Sequence, residues 1–310
     1  MYKKLLLFFF LLSQLALAQS KTVCFSIDDL PVVNYGNPSP EFHLEVTQKL
    51  MDGLKAKGVP AIGFVNEGKL WDKDEDMIGF QKHCLELWLE AGMDLGNHTL
   101  KHKDFNNTPF YEYAEEILLG EKVTKALLKK HGKEMMYFRH PFLHVGERES
   151  RADSLDKFLI RHNYIVAPVT IDNADYLFAR AYHISRRKGD DKLADKIGED
   201  YINYMEEKLL YYEKQSDALF DRQISQILLI HASLLNADYM EKLAGVYQKH
   251  GYKFVHMEQA LKDEAYKTPV TVFGRYGISW IDRWALSAGK KGDFFAADPA
   301  TPEYIENFGR

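Results

Sequence analysis

Phe25-Ser26-Ile27-Asp28-Asp29-Leu30-Pro31 is the stretch on which the reading of the whole chain turns. Two adjacent carboxylates and a proline close an apolar, strand-like run. Burying carboxylates without partners costs several kcal/mol or forces them to take up protons, so packing alone does not put two acids at a strand end. A strand running into an ordinary polar turn is the plain alternative. Metal-ligand or acid/base partners elsewhere in the chain decide between the two.

Upstream, Tyr2-Lys3-Lys4 precedes the apolar run Leu5 to Leu12, and Ala16-Leu17-Ala18 precedes Gln19. A short basic region, an apolar core too short to span a bilayer and a small-x-small ending predict a signal peptide over residues 1–18, cut after Ala18. Gln19 in place of a cysteine speaks against a lipid anchor. The mature protein, residues 19–310, is therefore expected to be exported, periplasmic or secreted, with no membrane anchor.

A net charge of -5 and a pI near 6.2 give no hint of nucleic acid or of an anionic membrane surface as partner. The hydrophobic share of 46% supports a substantial core, and 13% aromatic residues would suit a protein that stacks sugar rings. Cys24 and Cys84 have neither Cys-x-x-Cys spacing nor zinc-finger partners; a disulfide and two inert core thiols both remain open.

Downstream, short apolar runs alternate with longer amphipathic ones. Strands are expected at 22–29, 61–65, 94–98, 136–141, 164–172, 226–232 and 253–257. Helices are expected at 40–57, 76–91, 108–131, 151–162, 193–215 and 238–250, with Thr108-Pro109 as the start of the third and Gly58 and Gly92 as stops. About seven strands, each followed by a helix, make a parallel α/β architecture, a barrel or a doubly wound sheet. No repeat or low-complexity linker divides it, so residues 19–310 read as one domain with a C-terminal extension from about residue 265. The aromatic and basic segment 176–191 reads as a long connection or one wall of a cleft. Trp280 and Trp284, four apart, read first as helical packing against the barrel, with a sugar-stacking surface as the alternative.

The polar clusters stand at or just beyond the ends of the expected strands, the edge where chemistry collects in parallel α/β folds. His98 and His102, at i and i+4, would share one face of a helical turn, and two imidazoles with a carboxylate suit zinc, leaving a position open for catalysis. Arg139, ending the fourth strand, could clamp a carboxylate or make an ordinary salt bridge. Asp172 and Asp175 end the next strand. His231 ends the buried run Ile227 to Ile230, where a lone histidine is more often a satisfied core residue, but carboxylate and imidazole together make a tuned general acid.

In order and content these clusters resemble the polysaccharide deacetylases, the NodB-like family 4 carbohydrate esterases. The strongest elements are Ser26-Ile27-Asp28-Asp29-Leu30-Pro31 and His98-Thr99-Leu100-Lys101-His102. The resemblance spans roughly residues 22–261 and implies a deformed (β/α) barrel of about seven parallel strands. It implies that Asp29, His98 and His102 hold a divalent metal, zinc first, with cobalt, nickel or iron as alternatives. Asp28 would be the base that takes a proton from metal-activated water, and Arg139 would orient it. The backbone amide of Phe142 would help stabilise the oxyanion, while Asp175 would tune His231, the acid for the departing amine. The implied substrate is an acetylated glycan, with N-acetyl favoured over O-acetyl. Leu30 stands where glycine is usual, Phe142 where tyrosine is frequent, Tyr176 where tryptophan is common, and His140 is an added ionisable group. Two other functions compete: hydrolysis of a small amide or imide, and a non-catalytic glycan-binding protein with this fold.

Overall fold

The computed structural model describes residues 21–74 and 76–308, so the expected signal peptide lies outside the described residues. Among those residues seven parallel strands form one sheet. They are β1 (Thr22–Leu30), β2 (Ala61–Val65), β3 (Asp94–Asn97), β4 (Tyr137–Phe138), β5 (Ile165–Val166), β6 (Gln226–His231) and β7 (Lys253–Phe254). The order is β5-β4-β3-β2-β1-β6, with β7 pairing the first two residues of β1. Beyond β5 the chain continues to Ile171, which bridges Leu228 of β6. One segment thus touches both margins of the sheet, which curls into a deformed (β/α) barrel.

The alternation of side chains along β1 sorts the core into two layers. Val23, Phe25 and Ile27 join the larger apolar cluster, against Val46, Leu50 and Leu54 of α1 (Pro40–Ala56). Cys24 joins a smaller cluster with Ile62, Phe64, Tyr137 and Ile227 of other strands and Ala167 just past β5, inside the curl. Ser26 and Asp28 share the parity of Cys24, which sends polar groups into the barrel. Cys24 and Cys84 are both buried free thiols, the second of the two readings.

Around the sheet stand α2 (Gly79–Glu90), α3 (Phe110–Leu119), α4 (Lys122–Lys130), α5 (Glu149–Arg161), α6 (Asp175–Arg187), α7 (Asp191–Phe220), α8 (Leu234–Lys249), α9 (Met257–Ala260), α10 (Trp280–Ser287) and α11 (Glu303–Phe308). Three expectations change. The helix expected at 108–131 is broken at Gly120, where a Cβ would lie 2.5 Å from the carbonyl carbon of Thr99. The strands expected at 136–141 and 164–172 keep only two residues each of regular ladder, because their continuations turn into site loops. Segment 176–191 is not an extended connection but mostly α6, whose Phe178, Ala179, Ala181, Tyr182 and Ser185 are buried at helical spacing. Trp284 is buried in α10, as helical packing requires.

Candidate active site

Adjacent strand residues face opposite ways, so Asp28 and Asp29 should diverge. The ladder between β1 and β2 slips between Ile27 and Leu30, and Asp29 takes φ 68, a left-handed conformation that costs most side chains about 1–2 kcal/mol but that aspartate visits more readily. This bulge re-aims the second carboxylate toward the side of the first. Nε2 of His98 lies 3.8 Å from Oδ2 of Asp28 and 3.7 Å from Oδ1 of Asp29.

His98 and His102 do not sit on a helical turn, contrary to what their spacing suggests. They flank a loop after β3 in which Thr99 and His102 have φ of 66 and 54. Asn97 Oδ1 accepts from Thr99 N at 2.7 Å, and Glu116 accepts from Lys101 N at 2.7 Å and from Leu100 N at 3.0 Å. So shaped, the loop brings His102 Nε2 to 3.6 Å from Asp29 Oδ1 and the two rings to 4.8 Å between centroids. His98 Nδ1 is 2.9 Å from the carbonyl of Arg139, to which it can only donate, leaving Nε2 as the ligand atom.

One ligand atom from each of Asp29, His98 and His102 lies within 4.8 Å of the others. Oδ1 of Asp29 is buried without a hydrogen-bond partner, a need that a cation would satisfy. Burial opposes ionisation of Asp29, but Lys69, His102 and the other imidazoles outweigh it and hold the carboxyl below the usual range. Burial and the neighbouring His102 push His98 well below its ordinary value, so it stays neutral. Two neutral imidazoles and a carboxylate fit zinc or a similar divalent ion with a position left open.

Asp28 stands outside that set. Arg139, fully buried, places Nη1 3.4 Å from each of its oxygens, donates Nε to Ala167 O at 2.8 Å and Nη2 to Ser26 Oγ at 2.8 Å, and lies over the Phe64 ring. At 3.4 Å the expected bidentate clamp is loose and supplies charge balance more than orientation. Burial pushes Asp28 up to about 6 despite the pull of Arg139 and His231.

His231 pairs in register with Asp28 across the β1–β6 ladder. Its Nδ1 is 2.7 Å from Asp175 Oδ1, and its backbone N donates to Asp175 Oδ2 at 2.8 Å. Burial disfavours the charged ring, yet Asp175 more than offsets this and His231 rises to about 10, an imidazolium at neutral pH. Asp172, half-buried and raised to about 6 by desolvation, does not join this pair. Phe142, at φ 57, lays its half-exposed ring 4.5 Å from that of His102, and Tyr176 stands 6.3 Å from His231.

The sequence reading missed three supports. Ser26 relays Arg139 to Leu228 O at 2.6 Å. Asn236 Nδ2 donates to Asp175 Oδ2 and His231 O, both at 2.8 Å. Lys69 Nζ donates to the Asp29 carbonyl at 2.5 Å. Only Lys69 had a signal, since Asn66-Glu67-Gly68-Lys69 is one more polar cluster just past a strand.

The polysaccharide deacetylase family model matches residues 17–154, a little under half of the chain. The matched stretch is similar to the polysaccharide deacetylase family. It carries Asp28, Asp29, His98, His102, Arg139 and Phe142, whereas Asp175 and His231 lie beyond the match. No curated protein matches the chain. Among solved structures, a peptidoglycan N-acetylglucosamine deacetylase aligns over 78% of this chain and 88% of its own, at 17% identity and TM-score 0.50. A family 4 carbohydrate esterase from Bacillus anthracis aligns over 79% and 84% at 20% identity and TM-score 0.46. A mutant of a family 4 pseudoenzyme with restored enzymatic activity aligns over 78% and 68% at 15% identity and TM-score 0.49. At this identity the likeness to the first of these shows the fold alone.

Proposed function

We propose that this chain is an exported, metal-dependent hydrolase that removes acetyl groups from a glycan, N-acetyl groups in the first place. The observation that carries the reading is the arrangement around one mouth of a divalent-ion donor set, a separate carboxylate at Asp28 and a cationic His231. A binding module needs no base and acid around an ion.

Asp29, His98 and His102 would hold the ion. When bound, it supplies a Lewis acid that polarises the acyl carbonyl and acidifies water. Asp28, ionised above about pH 6, takes a proton from the attacking water, and Arg139 balances its charge. The Phe142 backbone amide donates to the developing oxyanion. His231, held protonated by Asp175, delivers a proton to the departing nitrogen, which leaves poorly as an anion. That imidazolium is what favours an amide over an ester. Phe142 and Tyr176 offer exposed ring faces on either side for sugar stacking.

The test is acetate release from acetylated chito-oligosaccharides and xylo-oligosaccharides by protein loaded with zinc, cobalt or nickel. The expected result is release that stops on chelation and returns with metal. Release that survives chelation, or none with any metal, would contradict the proposal. Export rests on the residues from Tyr2 to Ala18, and a mature N-terminus at Gln19 on the exported protein would bear it out.

A further inference from the structure

The loop after β4 that carries Phe142 has an unusual shape for its residues. Phe142 and Leu143 stand back to back at φ 57 and 53, both left-handed and neither glycine. Such residues persist only where the surroundings over-determine them. The barrel core holds only one of the two: Leu143 packs on Val169 and Leu229, while the Phe142 ring is half exposed. A cavity of about 510 Å³ lies beside the loop, and His140 and Val145, near its two ends, line it together with Tyr164, Phe273, Trp280 and Arg283.

The ties that hold its backbone from above come from the C-terminal extension. Arg283, on α10 and fully buried, donates Nη2 to the carbonyl of Leu143 at 2.7 Å and to that of Tyr276 at 3.2 Å. Its Nε and Nη1 have no hydrogen-bond partner, and the rings of Trp280 and Tyr276 lie 5.5 and 5.6 Å from the guanidinium. A guanidinium costs several kcal/mol to bury incompletely paired, so a residue of this kind needs a reason. The strap leading into α10 and the first residue of that helix add three further ties. Gly277 presses so closely that a Cβ there would lie 1.8 Å from the Phe142 carbonyl oxygen. Trp280 N donates to Val169 O at 2.6 Å. Arg275 bonds to Glu147 at 2.7 Å and to Asn107. On the loop's other flank His144 meets Asp104 at 2.6 Å.

We infer that the C-terminal strap, residues 272–284, is a working part of the active site, and that Arg283 is a positioning residue. It fixes the carbonyl of Leu143, and with Gly277 it sets both the direction of the Phe142 amide and the seat of the Phe142 ring on His102. The extension is then not an appendage of the deacetylase fold. It supplies, from outside the strand-end clusters, constraint on the Phe142–Leu143 backbone beyond what the packing of Leu143 on Val169 and Leu229 provides. This inference rests on the deacetylase reading above for its kinetic consequence, and on geometry alone for its effect on the metal ligands.

The experiment compares wild type with Arg283→Met, Arg283→Lys and Gly277→Ala, and with Arg222→Met as a control. Arg222 makes a distant ion pair with Asp263 and bears only on stability. Acetate release and zinc affinity, by competition with a chromophoric chelator, are measured below the unfolding temperature of every variant. Arg283→Met and Gly277→Ala should lower kcat by roughly tenfold or more while KM changes far less, since a misaimed donor is lost mainly in the transition state. Both should weaken zinc by roughly tenfold, the range for a disturbed ligand support. Arg283→Lys should recover part of each effect, and Arg222→Met should lower only the melting temperature. Gly277→Ala keeps the buried charge and so decides the matter if Arg283→Met fails to fold. Values of kcat and zinc affinity within about twofold of wild type in the folded strap variants would overturn the inference. If the wild type itself releases no acetate with any metal, the deacetylase reading fails, and zinc affinity alone decides whether the strap holds the ligands.

Discussion

Asp28 and Asp29 are neighbours in sequence with opposite surroundings. Burial raises Asp28 to about 6, whereas Lys69 and the imidazoles keep Asp29 ionised against burial. A base must be deprotonated to act, so the rate should climb as pH rises through about 6. An acid must keep its proton, so the rate should fall as pH rises toward about 10, where His231 titrates. A bound divalent cation favours the deprotonated form of both groups and moves each limb to lower pH. Replacing Asp175 by Asn removes the main support of the imidazolium, and the alkaline limb of the initial-rate profile should move down. An unmoved limb would exclude His231 as the acid. The same pair bears on stability. The folded pKa of His231 lies above its ordinary 6.5, so its contribution is fully present below 6.5 and is lost as pH rises to about 10. Denaturant melts of Asp175→Asn should therefore show a flatter decline across that window than wild type.

Of the three candidate ligands, Asp29 sits in a bulge at the end of β1 and His98 and His102 flank a loop, and this limited what the sequence could reveal. The histidine spacing was legible, but the turn that joins His98 to His102 depends on Asn97, Glu116 and two left-handed residues, which no periodicity encodes. The break between α3 and α4 was illegible for a similar reason. Gly120 has an ordinary negative φ, and its reason is the Thr99–Leu100 backbone against it. Gly120→Ala tests this cleanly. Helix propensity alone predicts a gain of up to about 1 kcal/mol, whereas the contact predicts a loss of about 1–3 kcal/mol and weaker zinc binding. Chemical melts and metal titration distinguish the two. Leu30, which stands where the family favours glycine, is accommodated across the ladder by Gly63, where a Cβ would lie 2.4 Å from Leu30 Cδ2. A departure at one strand end is thus absorbed by its neighbour.

For the molecule as a whole, parallel strands were the legible part. They place Asp28, His98, Arg139, Asp175 and His231 at one end, because every strand runs the same way and every cluster follows a strand. Supports that cross the chain were not legible: Asn236 behind Asp175, Ser26 beneath Arg139, and the strap over Leu143. Such contacts link residues far apart in sequence and leave no local pattern. The thiols follow from burial as well. Cys24 sits among barrel side chains and its thiol is pushed up to about 12, and Cys84 is raised in the same direction by burial. Mass spectrometry after native alkylation at neutral pH should find neither modified, and both modified after denaturation without reductant. Modification that appears only after reduction would mean a disulfide instead.

The division of the two aspartates is tested most directly by measuring zinc content and acetate release on the same samples of wild type, Asp28→Asn and Asp29→Asn. Asp28→Asn should keep its zinc and lose turnover by roughly 10²–10⁴-fold, as for a removed general base. Asp29→Asn should lose the zinc itself, with turnover recovering only in proportion to metal forced back by excess. Identical behaviour of the two variants, in metal content and in rate, would contradict the separate roles.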